Sequence, residues 1–327
     1  MGKRIFVVGG AGYIGSHVCK AIANDGNIPI VYDNLSTGHR WAVKWGPFVE
    51  GDILDTAQLE KALAAYQPEA VIHLASYIDV RESKTDPAKY YENNLVGTLA
   101  LLQALLKHGI KNFIFSSSAA VYGTPVYLPM DENHPKNPIN PYGKTKLGVE
   151  TLLEDFYHAY GLNSISLRYF NAAGADDEGE SGESHTPETH IIPRILFTAL
   201  QKQKQLSIFG STFPTKDGTA VRDFIHVADL ADAHVKALKY LEKHPQALSL
   251  NLGTGKGFSI LEMIDAASRI TETHIPYKIE TAHQEDPPIL LAEASKAMTL
   301  LDWHPRHSSL ENIIGTAWKW HKLYEPK

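Results

Sequence analysis

Through the first half of the chain, short uniformly apolar runs alternate with longer stretches whose apolar positions recur three or four residues apart. Runs with no polar face predict strands buried on both sides, and the amphipathic stretches predict helices that cover them. Strands are expected over 4–9, 28–33, 48–52, 70–75, 112–117 and 164–170, and helices over 13–25, 56–67, 91–108 and 142–160. That order is a series of βαβ units, so the expected fold class is α/β, a doubly wound parallel sheet of the Rossmann type. Right-handed crossovers then bring the carboxyl ends of the strands to one ligand-binding edge. After Asn171 the rhythm breaks into an acidic, Gly- and Ser-rich segment, 174–188, and the rest is irregular. A further strand-like run at 248–252 precedes the turn Gly253-Thr254-Gly255. A larger domain over 1–172 is expected, regaining the chain near 222–256, with a smaller mixed lobe from 173–221 and 257–327.

Composition narrows the partners. With 327 residues, 43% hydrophobic and 21% charged, the chain is long enough for a substantial core and is ordinary for a globular protein. Its formal charge of -6, from 37 acids against 31 bases without a long basic run, speaks against nucleic acid or an anionic membrane and for a small-molecule partner. Cys19 is the single cysteine, which excludes an internal disulfide and cysteine-rich metal sites and suits a reducing cytoplasm. No run approaches the roughly 18 apolar residues of a membrane span. A strand-like run follows the N-terminus at once, so no signal peptide is expected, and Phe6 stands where myristoylation needs Ser or Thr. The 16 histidines are scattered without an H-E-x-x-H arrangement, so no metal site is expected.

Between the first strand and the first helix lie Gly9-Gly10-Ala11-Gly12-Tyr13-Ile14-Gly15. Glycines there let backbone amides approach a pyrophosphate at a helix N-terminus, although any tight strand-to-helix turn favours them. Asp33 ends the next apolar run, about 20 residues on, where a carboxylate accepts hydrogen bonds from an adenosine ribose. A carboxylate repels a 2′-phosphate, so NAD is expected over NADP. The plainer reading of Asp33 is a turn acid. Asp52-Ile53 follows another strand and is placed to meet the adenine.

Tyr142 and Lys146 form Y-x-x-x-K, an i, i+4 pair on one helical face, and Ser116-Ser117-Ser118 closes the preceding strand. A phenol titrates near 10, so a base at neutrality needs its anion favoured by ~3 units, or about 4 kcal/mol. Lys146 and a positive nicotinamide are the expected sources, with Ser118 positioning the hydroxyl to be oxidised.

These residues resemble the extended short-chain dehydrogenase/reductase family and, within it, the UDP-glucose 4-epimerases. The resemblance runs almost end to end. It rests on G-G-A-G-Y-I-G-S-H at 9–17, D-N-L at 33–35, E-G-D-I at 50–53, F-S-S-S-A-A-V-Y-G at 115–123, P-Y-G-K-T-K at 141–146 and R-Y-F-N at 168–171. It continues through P-E-T-H at 187–190, I-F-G at 208–210, V-R-D-F-I-H-V at 221–227 and N-L-G at 251–253. It implies that Tyr142 removes the C4 hydroxyl proton while NAD takes the hydride, and that the tethered 4-keto sugar turns over before hydride returns. NAD contacts are implied for Gly9, Gly12, Tyr13, Ile14 and Gly15, and for Asp33, Asn34, Asp52 and Ile53. They are implied also for Leu74, Ala75, Ser76 and Asn93, and for Tyr142, Lys146 and Tyr169. For the UDP-sugar the implied residues are Asn171, His190, Ile191, Ser207 and Phe209, then Arg222, His283 and Asp286, beside Ser118 and Tyr142. Arg222 would grip phosphate, its alternative being a salt bridge to Asp223. Relatives commonly dimerise through the helices at 91–108 and 142–160, which implies a homodimer.

Several positions depart from the family pattern. In 73–83, H-L-A-S-Y-I-D-V-R-E-S, Ile78 and Arg81 stand where relatives carry other residues, and His283 aligns with a diphosphate-gripping arginine. Leu290 aligns with the position that limits bulk at the sugar C2 substituent and leaves UDP-glucose and UDP-N-acetylglucosamine both open. A nucleotide-sugar 4,6-dehydratase would carry acids where Ala119-Ala120 stand, and a noncatalytic NAD-binding sensor would be expected to lose Tyr142 or Lys146.

Overall fold

The computed structural model describes residues 2–282 and 286–324. Among them, seven strands form one wholly parallel sheet: β1 (Arg4–Val8), β2 (Ile28–Asp33), β3 (Phe48–Glu50), β4 (Ala70–His73), β5 (Asn112–Ser118), β6 (Asn163–Tyr169) and β7 (Ala247–Leu252). Their order across the sheet is β7-β6-β5-β4-β1-β2-β3. The chain winds outward from β1 in both directions, so the crevice where the direction reverses lies between β1 and β4.

Alternation along the strands loads both faces. Ile5, Val7, Val31 and Ile72 meet Val18, Cys19 and Ile22 of the helix Tyr13–Asn24, together with Leu230 and Leu238 of Val227–Lys243. Phe6, Val8, Ile30 and Phe113 meet helices Thr56–Tyr66, Thr98–Lys107 and Pro141–Tyr160. With both faces buried, these strands read as unbroken apolar runs, which is why the pattern disclosed them.

The helix expected over 91–108 opens with a wider π-type turn, Tyr91–Gly97, before regular Thr98–Lys107. Two short helices, Val80–Thr85 and Pro87–Tyr90, were not anticipated. Aspartate caps start both: Asp79 accepts from the amides of Arg81 and Glu82, and Asp86 from that of Lys89.

Beyond β6 a second core forms. Val221–His226 pairs in parallel with Asn171–Ala173 and Ile289–Leu290, and antiparallel with Gly257–Ser259. Leu206–Phe209 pairs with Tyr277–Glu280. Helices Ile191–Ala199, Ile260–Thr271 and Leu310–Leu323 close round this lobe with Ile192, Leu196, Met263, Ile264 and Ile313 inside. Between the lobe's segments, the run expected at 248–252 is β7, parallel to β6 at the sheet edge.

Candidate active site

The catalytic wall forms where β5 ends against the start of Pro141–Tyr160. Asn140 caps that helix, its side-chain oxygen accepting from the Gly143 amide at 2.8 Å, and Pro141 occupies the first turn, where a missing N–H costs nothing. A Cβ on Gly143 would lie 2.4 Å from the Ala120 carbonyl oxygen, so only glycine lets the helix start press on the turn that follows β5. That contact puts Ser118 and Tyr142 on one cavity wall. Lys146, one turn deeper and 2% exposed, donates to Ser76 Oγ and to the Ser116 carbonyl, each at 2.7 Å. Its ammonium is 5.7 Å from the centre of the Tyr142 ring.

Burial dominates the charges here. It pushes the Tyr142 phenol above its ordinary value, against a hydrogen bond with Ser118 that pulls it down. Burial also brings the Lys146 ammonium down to about 7, with the Glu150 carboxylate working the other way. Glu150 lies one turn along the same face and is itself held by Arg168 through two hydrogen bonds of 2.8 and 2.6 Å, and by Ser117 at 2.6 Å. At the phenol, burial thus outweighs the Ser118 hydrogen bond among the protein's own groups.

The Gly-rich turn sits at the β1/β4 crevice. Gly9 has φ +84°, and a Cβ there would lie 2.5 Å from the Ala75 amide nitrogen; one on Gly15 would lie 2.1 Å from the Gly9 carbonyl oxygen. Gly12 differs, because a Cβ would meet only the Gly9 oxygen at 3.4 Å and would otherwise project into the crevice. Asp33 accepts from the Ala11 amide with one oxygen (2.9 Å) and from the Leu35 amide with the other (2.8 Å). Burial raises its pKa while these amides oppose the rise. Asp33 and Asn34 line one end of the crevice, with Ile53, Ala75 and Asn93 opposite. Asn94, beside Asn93, clamps the floor by accepting from the Tyr77 amide and donating to the Tyr77 carbonyl. An extended cleft with an open Gly12, a helix N-terminus and a ribose-height carboxylate fits a dinucleotide.

Across Gly9, Gly12, Leu74 and Ser76 the crevice joins a cavity of about 520 Å³ between the two lobes. Tyr13, Ile14, Gly15 and Tyr169 line it on the sheet side, and Asn171, Ile191, Arg222, Asp286 and Leu290 on the other. The Asp223 carboxylate, the alternative partner for Arg222, is taken by the amides of Thr254, Gly255 and Ala292. Arg222 instead reaches the cavity, where burial lowers its pKa and Asp286 partly restores it. His190 also lines the cavity, but its Nδ1 lies 2.7 Å from Glu183 and 3.2 Å from Glu188. Burial works against charge on His185 and His190, and the two carboxylates overcome it, raising His185 to about 9 and His190 well above its ordinary value.

Four expected residues are not on these walls, Lys146 among them because it lies one turn beneath Tyr142. Asp52 turns back, accepting from Asn34 Nδ2 at 2.7 Å and from the Leu54 amide. Ser207 and Phe209 lie on the strand Leu206–Phe209, where the Phe209 ring carries the Arg81 guanidinium 5.1 Å above its centre. Arg81 itself lines the cavity, as does Ile78. His283 lies outside the described residues.

The NAD dependent epimerase/dehydratase family model matches residues 5–253. The chain belongs to this family. It is 49% identical over 320 residues to the UDP-glucose 4-epimerase of Rhizobium leguminosarum bv. trifolii, covering 98% of each chain. The Brucella ovis UDP-glucose 4-epimerase in complex with NAD superposes with a TM-score of 0.95 at 50% identity, over 97% of this chain and 98% of that one. The Bifidobacterium longum UDP-glucose 4-epimerase in complex with NAD+ and UDP gives 0.93 at 35% identity, over 98% of both. Within this NAD-dependent family, the crevice and the cavity beyond it are what a dinucleotide and its substrate require. The pair Asn140-Pro141 and Gly143 are the local signals that could have found the cap and glycine that place Tyr142, whereas Glu150 carried none.

Proposed function

We propose that the chain is an NAD-dependent UDP-glucose 4-epimerase, interconverting UDP-glucose and UDP-galactose through a 4-keto sugar. The observation that carries this reading is the placing of Tyr142 and Ser118 on the wall of a large cavity that joins a dinucleotide crevice, with Lys146 one turn beneath them reaching Ser76. When bound, NAD supplies a reversible hydride acceptor and a positive ring that favours the phenolate. Tyr142 takes the proton of the 4-hydroxyl, and Ser118 orients that hydroxyl by hydrogen bonding. Lys146 adds positive charge behind the ring and, through Ser76 and the Ser116 carbonyl, ties β5 to the crevice floor. Arg222 grips the diphosphate, and Asn171 and Ile191 border the nucleotide. The crevice residues from Gly9 to Gly15 hold the pyrophosphate, and Asp33 holds the ribose. In domain terms, 1–172 with the helix Val227–Lys243 and the strand β7 holds NAD, and 173–226 with 257–327 holds the UDP-sugar; the strand Val221–His226, expected with the first domain from 222 on, pairs within the second sheet instead.

Ala119 and Ala120 line the cavity at the two positions where a dehydratase carries its acids. No helix among the described residues is long and apolar enough to cross a membrane. With Cys19 buried as a free thiol, a cytoplasmic enzyme is the consistent reading. Tyr91, Val96 and Tyr160 are exposed on the helices that relatives use to dimerise, so a homodimer is proposed and sedimentation velocity tests it.

The purified protein, offered UDP-glucose and UDP-N-acetylglucosamine separately, is followed by proton NMR. Conversion of the axial H4 of glucose to the equatorial H4 of galactose is the expected outcome, without loss of the 6-hydroxyl. Loss of that hydroxyl, or no turnover of either sugar, overturns the reading. Leu290, on the cavity wall, is the position to vary if both sugars react.

A further inference from the structure

The segment 174–190, which joins the strand Asn171–Ala173 to the helix Ile191–Ala199, folds two glutamates and two histidines onto one point. Glu183 Oε1 lies 2.7 Å from His190 Nδ1 and 3.2 Å from His185 Nδ1. Glu188 lies 3.2 Å from His190 Nδ1 through one oxygen and 3.6 Å from His185 Nδ1 through the other. One donor atom from each of the four residues falls within 4.8 Å of the rest. Four ligands around a zinc ion at about 2.0–2.2 Å sit, by tetrahedral geometry, roughly 3.3 Å from one another. The contacts made by Glu183 Oε1 and Glu188 Oε1, at 2.7, 3.2 and 3.2 Å, lie near that value.

Hydrogen bonds account for part of the arrangement: the His190 backbone amide donates to Glu188 Oε1 at 2.8 Å, and His190 Nδ1 lies 3.2 Å from the same oxygen. His185 Nδ1 and Glu188 Oε2 are both buried without a hydrogen-bond partner, although they face each other. Each glutamate side chain is only 5% exposed, so two carboxylates are held out of water on the same spot. Unpaired buried carboxylates are costly, and the site must be neutralised by cations. Two imidazolium protons do so, and so does one divalent cation held by two neutral imidazoles. The backbone is pinned from outside the cluster: Trp320 Nε1 donates to the Glu183 carbonyl at 3.0 Å, and His39 Nε2 contacts the Ser184 carbonyl at 2.8 Å. The Tyr13 ring covers His185 edge-on. Four protein donors in a tetrahedral set suit a structural site.

We propose that Glu183, His185, Glu188 and His190 form a closed tetrahedral site for a divalent transition cation of the zinc class, which locks the 174–190 segment against the substrate cavity. Imidazole and carboxylate donors in tetrahedral array suit Zn2+ and Co2+ better than Mg2+ or Ca2+, which demand more oxygen ligands. Because Glu183, His185 and His190 line the large cavity, the ion fixes the entry to the helix Ile191–Ala199 and with it one cavity wall. This site is independent of the proposed epimerase chemistry and takes no part in moving the proton or the hydride.

The test uses the full-length protein with its cofactor, stripped with a chelator and titrated with Zn2+ alone by calorimetry and by thermal unfolding. Co2+ loading adds a spectroscopic readout, the intense visible bands of a four-coordinate ion. The expected result is one ion per chain, a rise in Tm on loading, and a loss of affinity of at least tenfold in Glu188→Gln and in His185→Asn. Should one of these variants fail to fold, the other still decides. Absence of stoichiometric binding by the wild type, octahedral Co2+ spectra, or unchanged binding in a folded variant overturns the proposal and leaves the four residues as an ion-pair cluster.

Discussion

At the residue scale, the glycines of the first turn separate structural from ligand-directed need. Gly15 faces the Gly9 carbonyl, where an added Cβ has no room, while Gly12 faces the crevice. Gly15→Ala is therefore expected to cost about 1–3 kcal/mol in urea unfolding, the range for forced overpacking. Gly12→Ala should unfold almost as wild type does yet retain far less NAD through purification, measured by absorbance after denaturation. Tyr142→Phe removes the base and leaves the ring's packing, so turnover should fall by roughly 10²–10⁴ with Tm and bound NAD unchanged. Full activity in that variant would end the proposed mechanism.

At the scale of elements, catalysis depends on how one helix begins. Asn140→Ala deletes the side-chain acceptor of the Gly143 amide and is expected to cost about 1 kcal/mol of stability. Because Tyr142 lies in the first turn and Lys146 in the next, kcat should fall more than KM rises; equal stability and kcat to wild type would show that the cap does not position them. Further along the helix, Glu150 compensates the buried Arg168, 2% exposed. Removing one partner of such a pair leaves a charge without a counterpart, so Glu150→Gln should lose about 3–5 kcal/mol by urea titration.

For the whole molecule, the sheet's burial of both faces sets the response to acid. His73 accepts or donates only to Thr98 at 2.9 Å, and burial, helped by Lys146, lowers it to about 3; burial lowers His234 to about 4. Unfolding returns both imidazoles to their ordinary value near 6.5, where they take up protons that the folded state refuses. The contribution of His73 and His234 should thus be fully present above about 6.5 and fall as the pH drops toward 4, seen as a declining urea midpoint. His73→Gln should flatten that decline; an unchanged slope in the variant would assign it to other groups.

Much of this architecture was legible before any coordinates. Strands buried on two faces must be apolar at every position, so β1 to β6 and the longer helices between them were recoverable from local pattern, as were the glycine turn and the Tyr142–Lys146 pair on one helical face; the short helices Val80–Thr85 and Pro87–Tyr90 were not. The second lobe was not, because its strands are short, half-exposed and paired with partners as distant as Asn171–Ala173 and Ile289–Leu290 are from Val221–His226. Pattern could not show that Asp52 turns away to Asn34, that Phe209 lies under Arg81, or that Asp223 leaves Arg222 to the cavity. Nor could scattered histidines reveal the convergence of His185 and His190 on two buried glutamates. Periodicity and turn chemistry are properties of neighbours along the chain, so the sequence by itself determined the elements and the residue types of the chemistry. Which of those residues share a surface depends on contacts between segments far apart in the chain, and that only the tertiary structure decided.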